Sequence, residues 1–138
     1  MVPVAGYVYF QEDFQFPDGS TGRKLFVVLC DSPLDPSNVL VVRTTSKPKG
    51  PKIQGCYAGE KVPNYFVPKT NGSFKEDTWV QFNYVVEMQS VKLEKRFREP
   101  LFQLSMAITA AILTCAAESR FVEITFQNAC KALAENLS

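Results

Sequence analysis

Residues 38–52 read NVLVVRTTSKPKGPK. The run Val39-Leu40-Val41-Val42 is continuously aliphatic, which suits a strand covered on both faces. It passes directly into Thr44, Thr45 and Ser46, and then into prolines, a glycine and lysines. Arg43, Lys47, Lys49 and Lys52 fall in a stretch with no acid between Asp35 and Glu60. Two readings are open. A strand stops and a solvated loop begins, its hydroxyls bonding their own backbone, or the strand end holds hydroxyls and cations rigidly towards a phosphate.

Working outwards, VAGYVYF at 4–10 and KLFVVLC at 24–30 read as two further strands, rich in β-branched and aromatic residues. Between them FPDGSTG at 16–22 is turn chemistry, with Pro17 presetting φ and Gly19 and Gly22 permitting positive φ. Residues 47–77 read as loops and short strands on a barrel rim. TWVQFNYVVEM at 78–88 reads as one bent strand or two, broken near Asn83. After Val91 the period becomes helical. Leu101, Leu104, Ile108, Ile112 and Cys115 form one apolar stripe, and Val122, Phe126, Cys130, Leu133 and Leu137 a second. Helices are expected near 94–117 and 121–137, although FVEITF at 121–126 also suits a strand. Strands first and helices last point to an α+β domain, one domain over 1–138 with a β part at about 4–92.

At 138 residues, with 46% hydrophobic and 12% aromatic residues, the chain can fold around a core of its own. A net charge of +1 predicts no polyanionic partner by itself, so only local clustering can argue for one. There is no histidine, which removes the commonest general base and metal ligand. Cys30, Cys56, Cys115 and Cys130 make no close pair, and are read as reduced, mostly buried thiols of a cytoplasmic protein, with no metal site. The first residues lack the basic region of a signal peptide. The uncharged run at 100–117 is short for a membrane span and diluted by Gln103, Ser105, Thr109 and Thr114, so a buried helix is expected there.

Gly6-Tyr7-Val8, the glycine-bearing hairpin, Arg23-Lys24-Leu25-Phe26-Val27-Val28-Leu29 and Val41-Val42-Arg43-Thr44-Thr45-Ser46 follow one another in an order that resembles the PemK/MazF-like toxins of type II toxin–antitoxin systems. The motif match covers about residues 5–46 and runs more loosely through Thr78-Trp79-Val80 to the terminal helices. The resemblance implies a small SH3-like β-barrel, the fold shared with the gyrase-poison toxins, with C-terminal helices. It also implies a homodimer that cleaves single-stranded RNA without metal or other cofactor and is neutralised by a cognate antitoxin.

Carried over by position, the family's catalytic arginine falls on Arg23 and its catalytic threonine on Thr45. In metal-free cleavage the RNA 2′-hydroxyl attacks the adjacent phosphorus. A guanidinium and a fixed hydroxyl can both donate to the charged phosphoryl oxygens. Lys24, Arg43, Ser46, Lys47, Lys49 and Lys52 are the expected substrate-binding residues. The family's proline after the arginine is Lys24 here, which could leave Arg23 less firmly placed or shift its role to Lys24, and the acid often found after the first glycine is Tyr7. Tyr57, Tyr65 and Phe66 are read either as base-stacking platforms or, more plainly, as packing, and Trp79 as core. The competing readings are a barrel of the same kind that binds nucleic acid or protein without cutting, and a protein-targeting toxin acting through its C-terminal helix. The 101–117 helix carries Phe102, Ala110 and Leu113 off its main stripe, which argues for cover from a second copy.

Overall fold

A computed structural model describes residues 4–15, 18–97 and 99–137; the role read for Pro17 lies outside them. The chain is α+β, a curled antiparallel seven-stranded half-barrel with three helices. The strands are β1 (Tyr7–Gln15), β2 (Thr21–Asp31), β3 (Asn38–Thr45), β4 (Gly55–Tyr57), β5 (Asn64–Val67), β6 (Thr78–Gln89) and β7 (Phe102–Gln103). The helices are α1 (Ser90–Phe97), α2 (Met106–Glu118) and α3 (Ile124–Leu137). The strand order is β4-β5-β6-β3-β2-β1-β7.

β3 has the bounds expected from its sequence and lies near the middle of the sheet, paired with β2 and β6. Because both faces of the sheet are covered along its aliphatic part, the pattern is continuous rather than alternating. One face carries Val27, Leu29, Leu40, Val42, Val80 and Phe82 against α2 and α3. The other carries Tyr9, Phe26, Val28, Val39 and Val41 against Leu93 of α1. β6 bends as expected near Asn83. Val42 pairs with Val85 while Arg43 pairs with Gln81, so extra residues are looped out of β6 between them.

Several expectations need correction. The single helix near 94–117 is two helices separated by β7, because the chain leaves α1 before Pro100, whose ring cannot continue a helix. Phe102 and Gln103 pair with Val8 and Tyr7 of β1, and the Ser105 side chain then caps α2 by accepting from the Ile108 N–H, 3.2 Å away. Gly22 lies in β2 opposite Phe14 and needs no positive φ, unlike Gly19. Of the off-stripe residues, Leu113 is core and the Phe102 ring meets Phe74 at 5.2 Å, while Ala110 is half-buried and lines a surface cleft. Leu101, expected on the buried stripe, is exposed instead. Of the ambiguous 121–126 segment, Ile124 onwards is helix.

Gly6, at φ +89°, turns the chain into β1, and its N–H donates to the Val28 carbonyl 2.8 Å away. A Cβ there would stand 2.5 Å from Thr109 Oγ1 in the first turn of α2. The glycine therefore lets strand and helix approach as well as permitting the turn.

The cysteines separate into two kinds. Cys30 and Cys130 are buried free thiols between β2 and α3. The hydrogen bond with Cys30, and then burial, push the Cys130 thiol far up, so it stays protonated and inert. Cys56 and Cys115, expected as reduced thiols, form a disulfide across a sequence separation of 59. Sequence spacing could not show this pair, because the fold brings the β4 edge onto α2. The cysteine argument for a reducing compartment falls with it. Among the described residues, no helix is long and apolar enough to cross a membrane.

Candidate nucleic-acid interface

Cross-strand register decides which site residues meet. Paired residues share a face, and neighbours along a strand alternate. Phe26 pairs with Arg43 and Arg43 with Gln81, which in turn pairs with Asn64. One step towards the end of β3, Thr45 pairs with Trp79 and Trp79 with Phe66, while Lys24 follows Phe26 on the same face of β2. α1 covers one end of this face through Tyr9, Phe26 and Val41. At the other end Gly50, within the segment 46–54, lies close against the sheet, since a Cβ there would stand 3.1 Å from Asn64 Nδ2. Between these covers the face carries a polar gap in the apolar pattern: Lys24 and Arg43, half-buried, and Thr45 and Gln81, buried.

The gap is strongly cationic. Lys24 is half-buried, and its ammonium donates to the Thr44 carbonyl oxygen 3.2 Å away. Burial, followed by the charges of Arg43, Lys47 and Lys49, lowers its pKa. Arg43, Lys47 and Lys49 therefore each stand within electrostatic reach of Lys24 around the end of β3. The Arg43 guanidinium also lies 4.9 Å from the Tyr84 ring centre, a cation–π contact made possible by the loop-out in β6. Lys47 also acts on Asp18 in the β1–β2 hairpin, although the Ser20 hydrogen bonds contribute most to lowering that carboxyl's pKa.

The structure does not bring all the expected residues together. Arg23 precedes Lys24 in β2 and so occupies the opposite face, where its guanidinium stands 6.0 Å from the Phe10 ring centre. Thr45 is buried, and its Oγ1 accepts from the Lys47 N–H at 3.2 Å. It thus ends the strand and sets the direction of the basic segment, leaving its own proton to donate. Thr44 is buried too and donates from Oγ1 to the Leu25 carbonyl oxygen at 2.9 Å. Ser46, Lys49 and Lys52 are exposed on the 46–54 segment. Of the aromatics, Tyr65 and Phe66 are buried, Trp79 is core as expected, and Tyr57 is half-buried with its hydroxyl donating to the Ile53 carbonyl oxygen.

A second basic group, apart from the residues singled out in the sequence, lies on α1. Lys92, Lys95 and Arg96 of α1 line a cleft of about 370 Å³ with Gln11, Met88 and Phe97. Gln11 is the cross-strand partner of Lys24, so this cleft adjoins the cationic gap. The signal was present in KLEKRF, where cations at helical spacings of three and four fall on one side. Among the described residues, no three His, Cys, Asp or Glu side chains stand together as metal ligands.

No protein-family model matches this chain, and no curated protein matches it.

Proposed function

We propose that this chain acts on single-stranded RNA as a cytoplasmic, PemK/MazF-like toxin built on an SH3-like barrel. In this reading it binds the RNA backbone at the end of β3 and cleaves it without metal by 2′-hydroxyl attack. The observation that carries the reading is the convergence of Lys24, Arg43, Lys47 and Lys49 beside Thr45. A local concentration of like charge of this kind favours a polyanionic ligand such as a phosphate backbone. Lys24 takes the cationic role that the resemblance assigns to Arg23: it shares the Thr45 face and carries a lowered pKa. Lys24 and the Thr45 hydroxyl would donate to the phosphoryl oxygens as their charge grows. The resemblance further implies a homodimer and a cognate antitoxin covering this face.

A second reading, a barrel that binds RNA without cutting it, is favoured by the separation of Arg23 from Thr45 on opposite faces. One experiment separates the two. Wild-type protein is incubated with RNA oligonucleotides in excess chelator, beside oligonucleotides carrying one 2′-deoxy position. Cleavage of the all-RNA strands, with the 2′-deoxy linkage intact but bound, supports the ribonuclease. Lys24→Ala or Thr45→Ala should then lower the rate by ~10²-fold, and Arg23→Ala by much less. Binding with no cleavage leaves the binding module, and no binding overturns both.

A further inference from the structure

The segment 46–54 is anchored at both ends by different chemistry. At its start, Thr45 Oγ1 holds the Lys47 N–H. At its end it enters β4, a three-residue edge strand paired only with β5. Cys56 shares a face with its partner Tyr65, on the α2 side, and there it is bonded to Cys115. So short a ladder is a weak anchor, and the disulfide is the strong one.

What lies next to Gly50 is unusual for a core. Trp79 and Phe66, 4.6 Å apart between ring centres, occupy the same face as Asn64, on which Gly50 rests. Trp79 and Asn64 are both fully buried, yet Trp79 Nε1 and Asn64 Oδ1 have no hydrogen-bond partner among the described residues. A buried donor and acceptor left unsatisfied are costly to the closed form. An aromatic pair flanked by a free donor and a free acceptor is the chemistry that receives a nucleobase.

We propose that the Cys56–Cys115 disulfide is a redox latch, whose reduction releases the 46–54 strap and uncovers Trp79 and Phe66 as a base-stacking subsite beside the cationic gap. The base-binding half rests on the RNA reading above; the latch does not.

The reductant is a dithiol. Its thiolate attacks Cys56 Sγ, the exposed end of the bond, and the S–S bond breaks with Cys115 leaving as thiolate and taking up a proton. The second thiol of the reductant then displaces Cys56 from the mixed disulfide. The dithiol is oxidised to a disulfide as both cysteines are reduced. The Asn64 carbonyl oxygen lies 3.5 Å from Cys115 Sγ, within reach of the new thiol proton.

Trp79 is the single tryptophan of the chain, so its fluorescence reports the strap directly. Wild-type protein is compared oxidised and after dithiothreitol, with thiol counts in denaturant confirming reduction, far-UV circular dichroism, acrylamide quenching, and affinity for a single-stranded RNA oligonucleotide. Expected on reduction are an unchanged dichroism spectrum, a severalfold rise in quenching of Trp79, and tighter RNA binding. Oxidised Cys56→Ser should already behave as the reduced form and ignore dithiothreitol. Unchanged quenching after full reduction would overturn the latch, as would loss of the dichroism spectrum, which would make the bond a structural staple. Higher quenching with unchanged RNA affinity would overturn the base subsite alone. Higher quenching with no RNA binding in either state would remove the RNA reading and leave the latch standing.

Discussion

Lys24 on β2 donates from Nζ to the Thr44 carbonyl oxygen on β3, 3.2 Å away. That reach carries a half-buried ammonium to the strand end, beside Arg43 and under the influence of Lys47 and Lys49. Burial and like charge both work against its charged form. Lysines perturbed in this way mark candidate functional sites.

The sign of the pH dependence follows. Lys24 has a lowered folded pKa, with burial the leading cause and the neighbouring cations next. In the unfolded chain it returns to ~10.4. Between those values the unfolded state binds the extra proton, so stability rises with pH through that window. A phosphate beside Lys24 would restore the charged form, so RNA binding should take up protons and should weaken as pH rises through the lowered value. Titration calorimetry in two buffers of different ionisation enthalpy should detect this uptake, and Lys24→Gln should remove most of it.

Lys47 and Lys49 are exposed, and their contribution to binding should be largely counterion release. Replacing both with alanine should flatten the dependence of log affinity on log salt by about 0.7 for each phosphate no longer neutralised. Fluorescence anisotropy across a salt series checks this. An unchanged slope would place the RNA elsewhere.

Tyr9 is fully buried and stacked on Phe26, yet its hydroxyl has no partner among the described residues. Its pKa is raised, chiefly by that burial. Tyr9→Phe keeps the ring and removes the unsatisfied group, so stability should rise by about 1 kcal/mol. The urea midpoint should move up with no change in slope.

Gly6→Ala should act in the opposite direction. The backbone there has φ +89°, and the added methyl meets Thr109 Oγ1, which is itself held by its bond to the Ser105 carbonyl oxygen. Left-handed strain alone costs about 1–2 kcal/mol, and the clash adds to it. Thermal unfolding should show a clear loss, while Gly19→Ala, with open space around it, should show the strain alone.

Much of the sheet could be read in advance because its signals are local. β3 shows four aliphatics and then hydroxyls, and the break in β6 is visible at Asn83. The position of Lys24 relative to Arg23 was less legible. Alternation along β2 puts them on opposite faces, but which face also holds Thr45 depends on the pairing of β2 with β3 and β3 with β6. β7 was missed because two residues carry no pattern of their own; they are a strand only because the edge of β1 is there to pair with them.

The sequence by itself determined the class of domain, the order of its main strands and the helical character of its last third, since hydrophobic period and turn residues act over a few positions. It also determined that hydroxyls and cations would follow the end of β3, with no acid near them in the chain. Only the tertiary structure decided which cations gather there, by bringing Lys24 across from β2 and leaving Arg23 on the far face with Phe10. Only it decided that Cys56 meets Cys115, because bridging 59 positions requires the sheet edge and α2 to be packed together first. Contacts between residues distant in the chain are set by pairing register and packing, which no local run of residues encodes.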